Sequence, residues 1–418
     1  MNLLEYFSNL KSVKEIRESQ KISLGQSTDE FNMMLIASDF YNGDKSLFVV
    51  LPNLYEAQKY YDQLTVCFNE EDILFFPADE LVSAEIIAAT GDFLFERINT
   101  ISTLLEGKKK IIITNMHGAI KYEMSPKVWK NSIFKLDKTM SFNLHDLCHK
   151  LISLGYEATF TVQKTGQFSR RGSIIDIFPL GYENPIRLDF FGDDIETIKE
   201  FNVENQRSIN SVDNITILPV SELIYNDDEF KLAKSKIFQF IDSYKTSQIE
   251  EDMFKRDLFD LENHKGLESL SRYIGFFDDT KSTIFSFVEN KRIYMIDPVK
   301  AKEGYNHMVY DLEEYSSRLG GYSVANMNLF SSIDKLIDNA NVLIEALRTI
   351  GKIDKNVFVK AIIPYQANKK AIVNDLVGLM TRRIVVLAFK DTERFKKIQE
   401  LLEENNIYIR INNDLSNL

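Results

Sequence analysis

Gly166-Gln-Phe-Ser-Arg-Arg-Gly-Ser-Ile-Ile-Asp-Ile-Phe-Pro179, followed shortly by Pro185-Ile-Arg-Leu-Asp-Phe-Phe-Gly-Asp-Asp-Ile-Glu-Thr-Ile-Lys199, is the stretch on which the fold of this 418-residue chain turns. Apolar and polar residues alternate between turn residues, which predicts strands at Ala158–Gln163, Ser173–Phe178, Ile186–Phe191 and Glu196–Phe201. In the strand Ile186–Phe191, alternation sends Leu188 and Phe190 to one face and Arg187, Asp189 and Phe191 to the other. The first face is core. The second combines a guanidinium with an aromatic ring, the side chains enriched at binding hot spots. Read without a partner, the same strand is an ordinary surface one, with Phe191 folded under a loop and Arg187 paired to Asp189. Gly166, Gly172 and Gly192 suit turns, while Asp176, Phe178 and Pro179 read as fold residues.

Upstream, a helix over Leu144–Leu154 ends at Gly155, so this region is an α+β domain. The chain before it has a different rhythm. A helical opening from Leu3 leads into Lys21–Gly25, then a helix at Asn32–Phe40, a strand at Ser46–Leu51, a helix at Tyr55–Phe68, an apolar run Ile73–Phe76, a helix at Asp92–Leu105 and a strand at Lys110–Thr114. Apolar strands alternating with helices predict a parallel sheet covered on both faces. After Val220 the chain is helical and acidic to about Leu270, and strands at Ser282–Phe287 and Arg292–Ile296 bring it back to the first domain. Beyond Gly320-Gly321 a further α/β unit is expected: helices Ser332–Asn339, Lys369–Met380 and Thr392–Glu404, and strands Val342–Glu345, Val357–Ile362, Arg383–Phe389 and Ile407–Arg410. The expected layout is a multidomain α/β chain: residues 1–125 and 219–322 form one α/β domain in two segments, 126–218 an inserted α+β domain, and 323–418 a small α/β domain. The run Asn413–Leu418 adds no closing element, so the chain is expected to be part of a longer protein.

Composition narrows the function. A net charge of −12 opposes broad attraction to nucleic acid, so any DNA contact must be local. Two cysteines fit a reducing cytosol, and no segment has the length and apolarity of a membrane span; a cytoplasmic protein with no membrane partner is expected.

The stretch quoted first resembles the damage-recognition protein UvrB and the UvrB-like module of the transcription-repair coupling factor (Mfd) family, in which G-x-F-x-x-R-G-x-I-x-D-I-F-P precedes R-x-x-F-F-G-D-x-I-x-x-I. Asn205-Gln-Arg-Ser208 and, upstream, Gly91-Asp-Phe-Leu-Phe-Glu-Arg97 with Leu104, Ile111-Ile-Ile-Thr114 and Leu154-Gly-Tyr156 continue it in the same order, over roughly residues 20 to 300. The resemblance implies that the inserted domain binds the repair protein UvrA, with Arg171, Arg187 and Phe191 in the interface and Arg170 a lesser contributor. It further implies recruitment of UvrA to stalled RNA polymerase, with polymerase, DNA, ATP and magnesium engaged by carboxy-terminal regions not in this sequence.

A P-loop, G-x-x-x-x-G-K-[ST], would stand at the first strand–helix junction, where UvrB has one. Here the stretch is Gly25-Gln-Ser-Thr-Asp-Glu-Phe-Asn32: Glu30, Phe31 and Asn32 replace Gly, Lys and Ser/Thr. Asp29 and Glu30 would oppose a phosphate, and Ser27–Glu30 read more simply as a helix cap. The loop is therefore read as a degenerate, non-functional P-loop, and no catalysis, cofactor or metal is expected of this segment. A divergent UvrB-type ATP-dependent damage-recognition protein is the enzyme alternative. A DNA-binding module using Lys108–Lys110 and Arg170–Arg171 is another. His145, Cys148 and His149 have helical spacing but lack the Glu and second cluster of a zinc motif.

Overall fold

A computed structural model describes residues 3–79, 93–244, 246–321, 323–346, 349–359, 368–381, 385, 387 and 392–410. The strands in chain order begin with β1 (Ile22–Gly25), β2 (Ser46–Leu51), β3 (Ile73–Phe76) and β4 (Ile111–Asn115). Every residue of β2 and β4 is buried. These strands lack alternation because both faces are covered: Phe48, Val50 and Ile112 enter one core, and Leu47, Val49, Ile111 and Ile113 the other. Next come β5 (Phe134–Asp137), β6 (Glu157–Ala158), β7 (Gln167–Arg171), β8 (Ile174–Ile177), β9 (Ile186–Phe191), β10 (Asp194–Phe201), β11 (Ser208–Ser211) and β12 (Asn214–Ile217). The last are β13 (Lys291–Ile296), β14 (Val342–Ile344) and β15 (Lys355–Asn356).

The parallel sheet has seven strands in the order β15-β1-β14-β13-β2-β4-β3. As expected, β13 returns to it. It also takes β14, which corrects the sequence reading that gave Val342–Glu345 to the final unit: Val342 pairs with both Ile22 and Tyr294. A three-residue apolar run does not encode which sheet it joins. Ser282–Phe287, expected as a strand, instead holds a 3₁₀ turn at Ile284–Phe287, and the Phe285 ring packs 4.9 Å from Phe48. Its apolar residues cover the sheet from one side. Residues 407–410 form no strand, and the strands expected over 357–362 and 383–389 lie largely outside the described residues. The helices Lys369–Met380 and Thr392–Glu404 are present, with Leu376, Leu402 and Ile407 in a small core of their own.

The inserted domain carries a six-stranded sheet, β11-β10-β9-β8-β7-β6, antiparallel except for β6 with β7. Its inner-face residues Phe168, Ile175, Ile177, Ile186, Leu188, Phe190 and Ile198 share one core with Leu144, Leu147 and Leu151 of the helix Leu144–Ser153. The antiparallel pair β5–β12, not foreseen from sequence, brings the domain's entry and exit together. Among the described residues no helix is long and apolar enough to cross a membrane.

Candidate functional site

Strand register builds the site. Asp176 on β8 stands opposite Ser169 on β7 and Arg187 on β9, which in turn stands opposite Lys199 on β10. Residues directly opposite share a face, so this row lies on the outer side of the sheet, away from Leu188 and Phe190. The buried Asp176 carboxylate accepts Nε of Arg187 at 2.7 Å and Nη2 at 2.9 Å, and Nη2 of Arg171 at 2.5 Å. One carboxylate thus aims two guanidiniums through charge-assisted bonds, one of them bidentate. Arg187 is fixed further: its Nη1 donates to the Gln206 carbonyl at 3.3 Å, and its guanidinium lies over the buried Phe201 ring, 4.5 Å from the centroid. The hydrogen bonds to Asp176 raise the Arg187 pKa beyond its already high ordinary value, so it stays charged. Its side chain is only 21% exposed, against 44% for Arg171.

Phe191 ends β9 on the same face and is 80% exposed. It is not tucked under a loop, and the partner of Arg187 is Asp176, not Asp189. Both hairpins that present these residues turn on glycine: Gly172 (φ 62°) between Arg171 and Ile174, and Gly192 (φ 64°) between Phe191 and Asp194. Two-residue hairpin loops of this kind need a positive φ at the first central residue. Arg170 alternates to the opposite face from Arg171, so the two do not form one basic patch. Sequence reading gave Asp176 to the fold alone and missed it as the anchor of both arginines. The signal was there in the register, but three strand pairings must be known to read it.

At the first strand–helix junction, β1 ends at Gly25, the chain turns at Gln26 (φ 54°), and Thr28 caps the helix Asp29–Asn42 by accepting the Phe31 N–H at 3.3 Å. The Asp29 carboxylate accepts from Lys59 at 2.5 Å and from the Tyr60 hydroxyl at 3.0 Å. Asn32 is buried, donating to Tyr60 Oη at 3.2 Å and accepting from Ser27. Phe31 packs edge-on to Phe7, and Glu30 is exposed. A Cβ on Gly25 would meet side-chain atoms of Ile353 and Asn356 at 2.6 Å. Where a phosphate cradle would present backbone N–H groups and a lysine, this junction is filled by its own capping bonds and two acidic residues.

Residues 134–223 match the family model of the UvrB interaction domain. Over 292 residues, 68% of its length, the chain is 28% identical to the transcription-repair-coupling factor of Bacillus subtilis (strain 168). This is a relative of the transcription-repair coupling factors. That of Staphylococcus aureus (strain USA300) is 27% identical over 293 residues, again 68% of the chain, and that of S. aureus (strain MRSA252) 28% over 270 residues, or 63%. The chain spans about a quarter of the length of these relatives, 24%, 25% and 23% respectively.

Arg97, the last residue of the Gly91–Arg97 motif, has a structural use. Arg97 donates from Nε to Glu222 at 2.5 Å and from Nη1 to the Pro77 carbonyl at 3.1 Å. Lys121 bridges Glu222 at 3.0 Å and Glu123 at 2.7 Å. The buried cluster ties the first chain segment to the residues leaving the inserted domain. Burial pushes the Glu123 carboxyl up to about 7. Burial acts the same way on Glu222, but Arg97 and Lys121 together outweigh it and bring that carboxyl to about 2.

The lysine run also serves the fold. Lys108 pairs with Glu106 at 3.0 Å, Lys109 donates to the carbonyls of Phe40 and Gly43 at 2.7 and 2.9 Å, and Lys110 donates to that of Glu71. His145 and His149 stack edge to face at 4.4 Å, and no group of three His, Cys, Asp or Glu able to hold a metal occurs among the described residues.

Proposed function

We propose that this segment is a docking module of a coupling factor, one that recruits UvrA to stalled RNA polymerase through Arg171, Arg187 and Phe191 and performs no catalysis itself. The observation that carries this is the pair of guanidiniums fixed on Asp176 beside an exposed phenyl ring, inside a UvrB interaction domain. Arginines already held by Asp176, beside an exposed aromatic ring on the same face, form a hot-spot surface in which the ordering cost of the guanidiniums has been met before binding. Polymerase, DNA, ATP and magnesium would be engaged by other parts of a full-length coupling factor, in the cytoplasm. The capping bonds and carboxylates at Gly25, Glu30, Phe31 and Asn32 support the reading that this loop binds no nucleotide.

The test is a calorimetric titration of the chain against UvrA, with Arg171→Ala and Arg187→Ala alongside, and a second titration with magnesium-ATP. Binding to UvrA that weakens at least tenfold in each variant, with no heat from nucleotide, is the expected result. Wild-type affinity in both variants would overturn the site. Micromolar ATP binding lost in a Gly25→Val variant would favour the UvrB-type enzyme alternative.

A further inference from the structure

The strand expected over Ala158–Gln163 stops at Ala158, and the reason points to a second aromatic contact. Beyond Thr159 the chain leaves the sheet edge and is held on the outer face by side chains of β7. Gln167 and Ser169 alternate with Phe168, so they share the face of Arg171 and, through register, of Asp176 and Arg187. Gln167 Oε1 accepts the N–H groups of Gln163 at 3.0 Å and Lys164 at 3.3 Å, and its Nε2 donates to Glu157 at 3.0 Å. The Ser169 hydroxyl donates to the Phe160 carbonyl at 2.9 Å. The Thr159 N–H donates to the Phe168 carbonyl at 2.8 Å, and Val162 is buried. The loop is thus pinned at both ends and in the middle.

On this pinned loop Phe160 is 87% exposed, more than any other large hydrophobic side chain among the described residues; Phe191 comes next. The backbone anchors of the two rings lie on either side of the arginine pair in the strand register. Ser169, which holds Phe160, stands two strands from β9, about 10 Å, and Phe191 lies four residues beyond Arg187, about 13 Å along the strand. The anchors are therefore about 16 Å apart, within one interface face of about 800 Å². A loop fixed by buried side chains does not order itself to hide a phenyl group, so its exposure persists until a partner covers it.

We infer that Phe160 is a second aromatic anchor of the same docking surface, and that the protein partner presents an acidic group to Arg171 and Arg187 between two apolar pockets, one for each ring. This rests on the proposed docking of UvrA and extends it to a residue outside the motif.

The experiment compares the Kd for UvrA of the wild-type chain with those of Phe160→Ala, Phe191→Ala and the double variant, with thermal melts of each. Neither ring contributes much to the core, so melting temperatures should agree within a few degrees. The expected result is a loss of about tenfold or more for Phe160→Ala, and a larger loss in the double variant than in either single one. Phe191→Ala weakened with Phe160→Ala unchanged overturns this inference and leaves the docking site standing. Both unchanged overturns the docking site itself.

Discussion

Asp176→Asn is the perturbation that most directly separates the roles of Asp176 and its arginines. The substitution keeps shape and removes charge, leaving one carbonyl oxygen for three guanidinium N–H groups that now bond at 2.5, 2.7 and 2.9 Å. A lost hydrogen bond to a charged group costs roughly 1.5–3 kcal/mol, and breaking a fully buried pair about 3–5 kcal/mol. Arg187 is mostly buried, but Arg171 has water as an alternative partner, so about 2–3 kcal/mol is expected. Urea unfolding followed by far-ultraviolet dichroism should show a midpoint lower by on the order of 1 M, taking a slope of about 2 kcal/mol per molar. Binding to UvrA, measured where the variant is still folded, should weaken as well, because Arg187 loses its fixed direction. A variant that unfolds and binds like wild type would refute the idea that this carboxylate aims the arginines.

Glu123→Gln tests the buried cluster through pH. Glu123 has its carboxyl raised from 4.5 to about 7, so its contribution to stability is fullest below about pH 4.5 and declines as pH rises to about 7. Glu222, lowered to about 2, contributes fully above about pH 4.5 and loses its contribution as pH falls toward 2. Chemical denaturation between pH 5 and 8 should therefore show Glu123→Gln gaining on wild type as pH rises; parallel curves would reject the cluster as drawn. Gly321→Ala should destabilise by a few kcal/mol, roughly the upper range for overpacking, because its Cβ would fall 1.7 Å from the buried Glu250 carboxylate that caps the helix Gln248–Glu262. A melting temperature equal to wild type would contradict that contact.

Most of the α/β frame was legible because β2, β4 and the Ile293–Ile296 part of β13 are mostly apolar stretches that a sheet covered on both sides can bury. The inserted sheet was legible for the complementary reason: Ile186–Phe191 alternates, and its burial follows the alternation residue by residue. What failed was partner choice. Val342–Ile344 joins the first sheet and Phe285 covers it from one side, and neither short run carries that information locally. At the site, the outward direction of Arg187 and Phe191 followed from period two, and Phe191 is indeed exposed. The bond from Arg187 to Asp176 did not follow, since it depends on which residues of β8 and β9 stand opposite each other. Phe160 escaped because Thr159–Gln163 has strand composition, while Gln167 and Ser169 supply the hydrogen bonds that lift it off the sheet edge.

The central claim is that the outer face of the inserted sheet is a protein-docking surface for UvrA, and Phe191 tests it with the least collateral effect because its ring is almost free of the core. The decisive measurement is the Kd of this chain for UvrA with Phe191 intact and with Phe191→Ala. Loss of a hot-spot ring should cost about 2 kcal/mol, roughly thirtyfold in affinity, with the melting temperature unchanged. An unchanged Kd, or no binding of UvrA by the intact chain, would contradict the account.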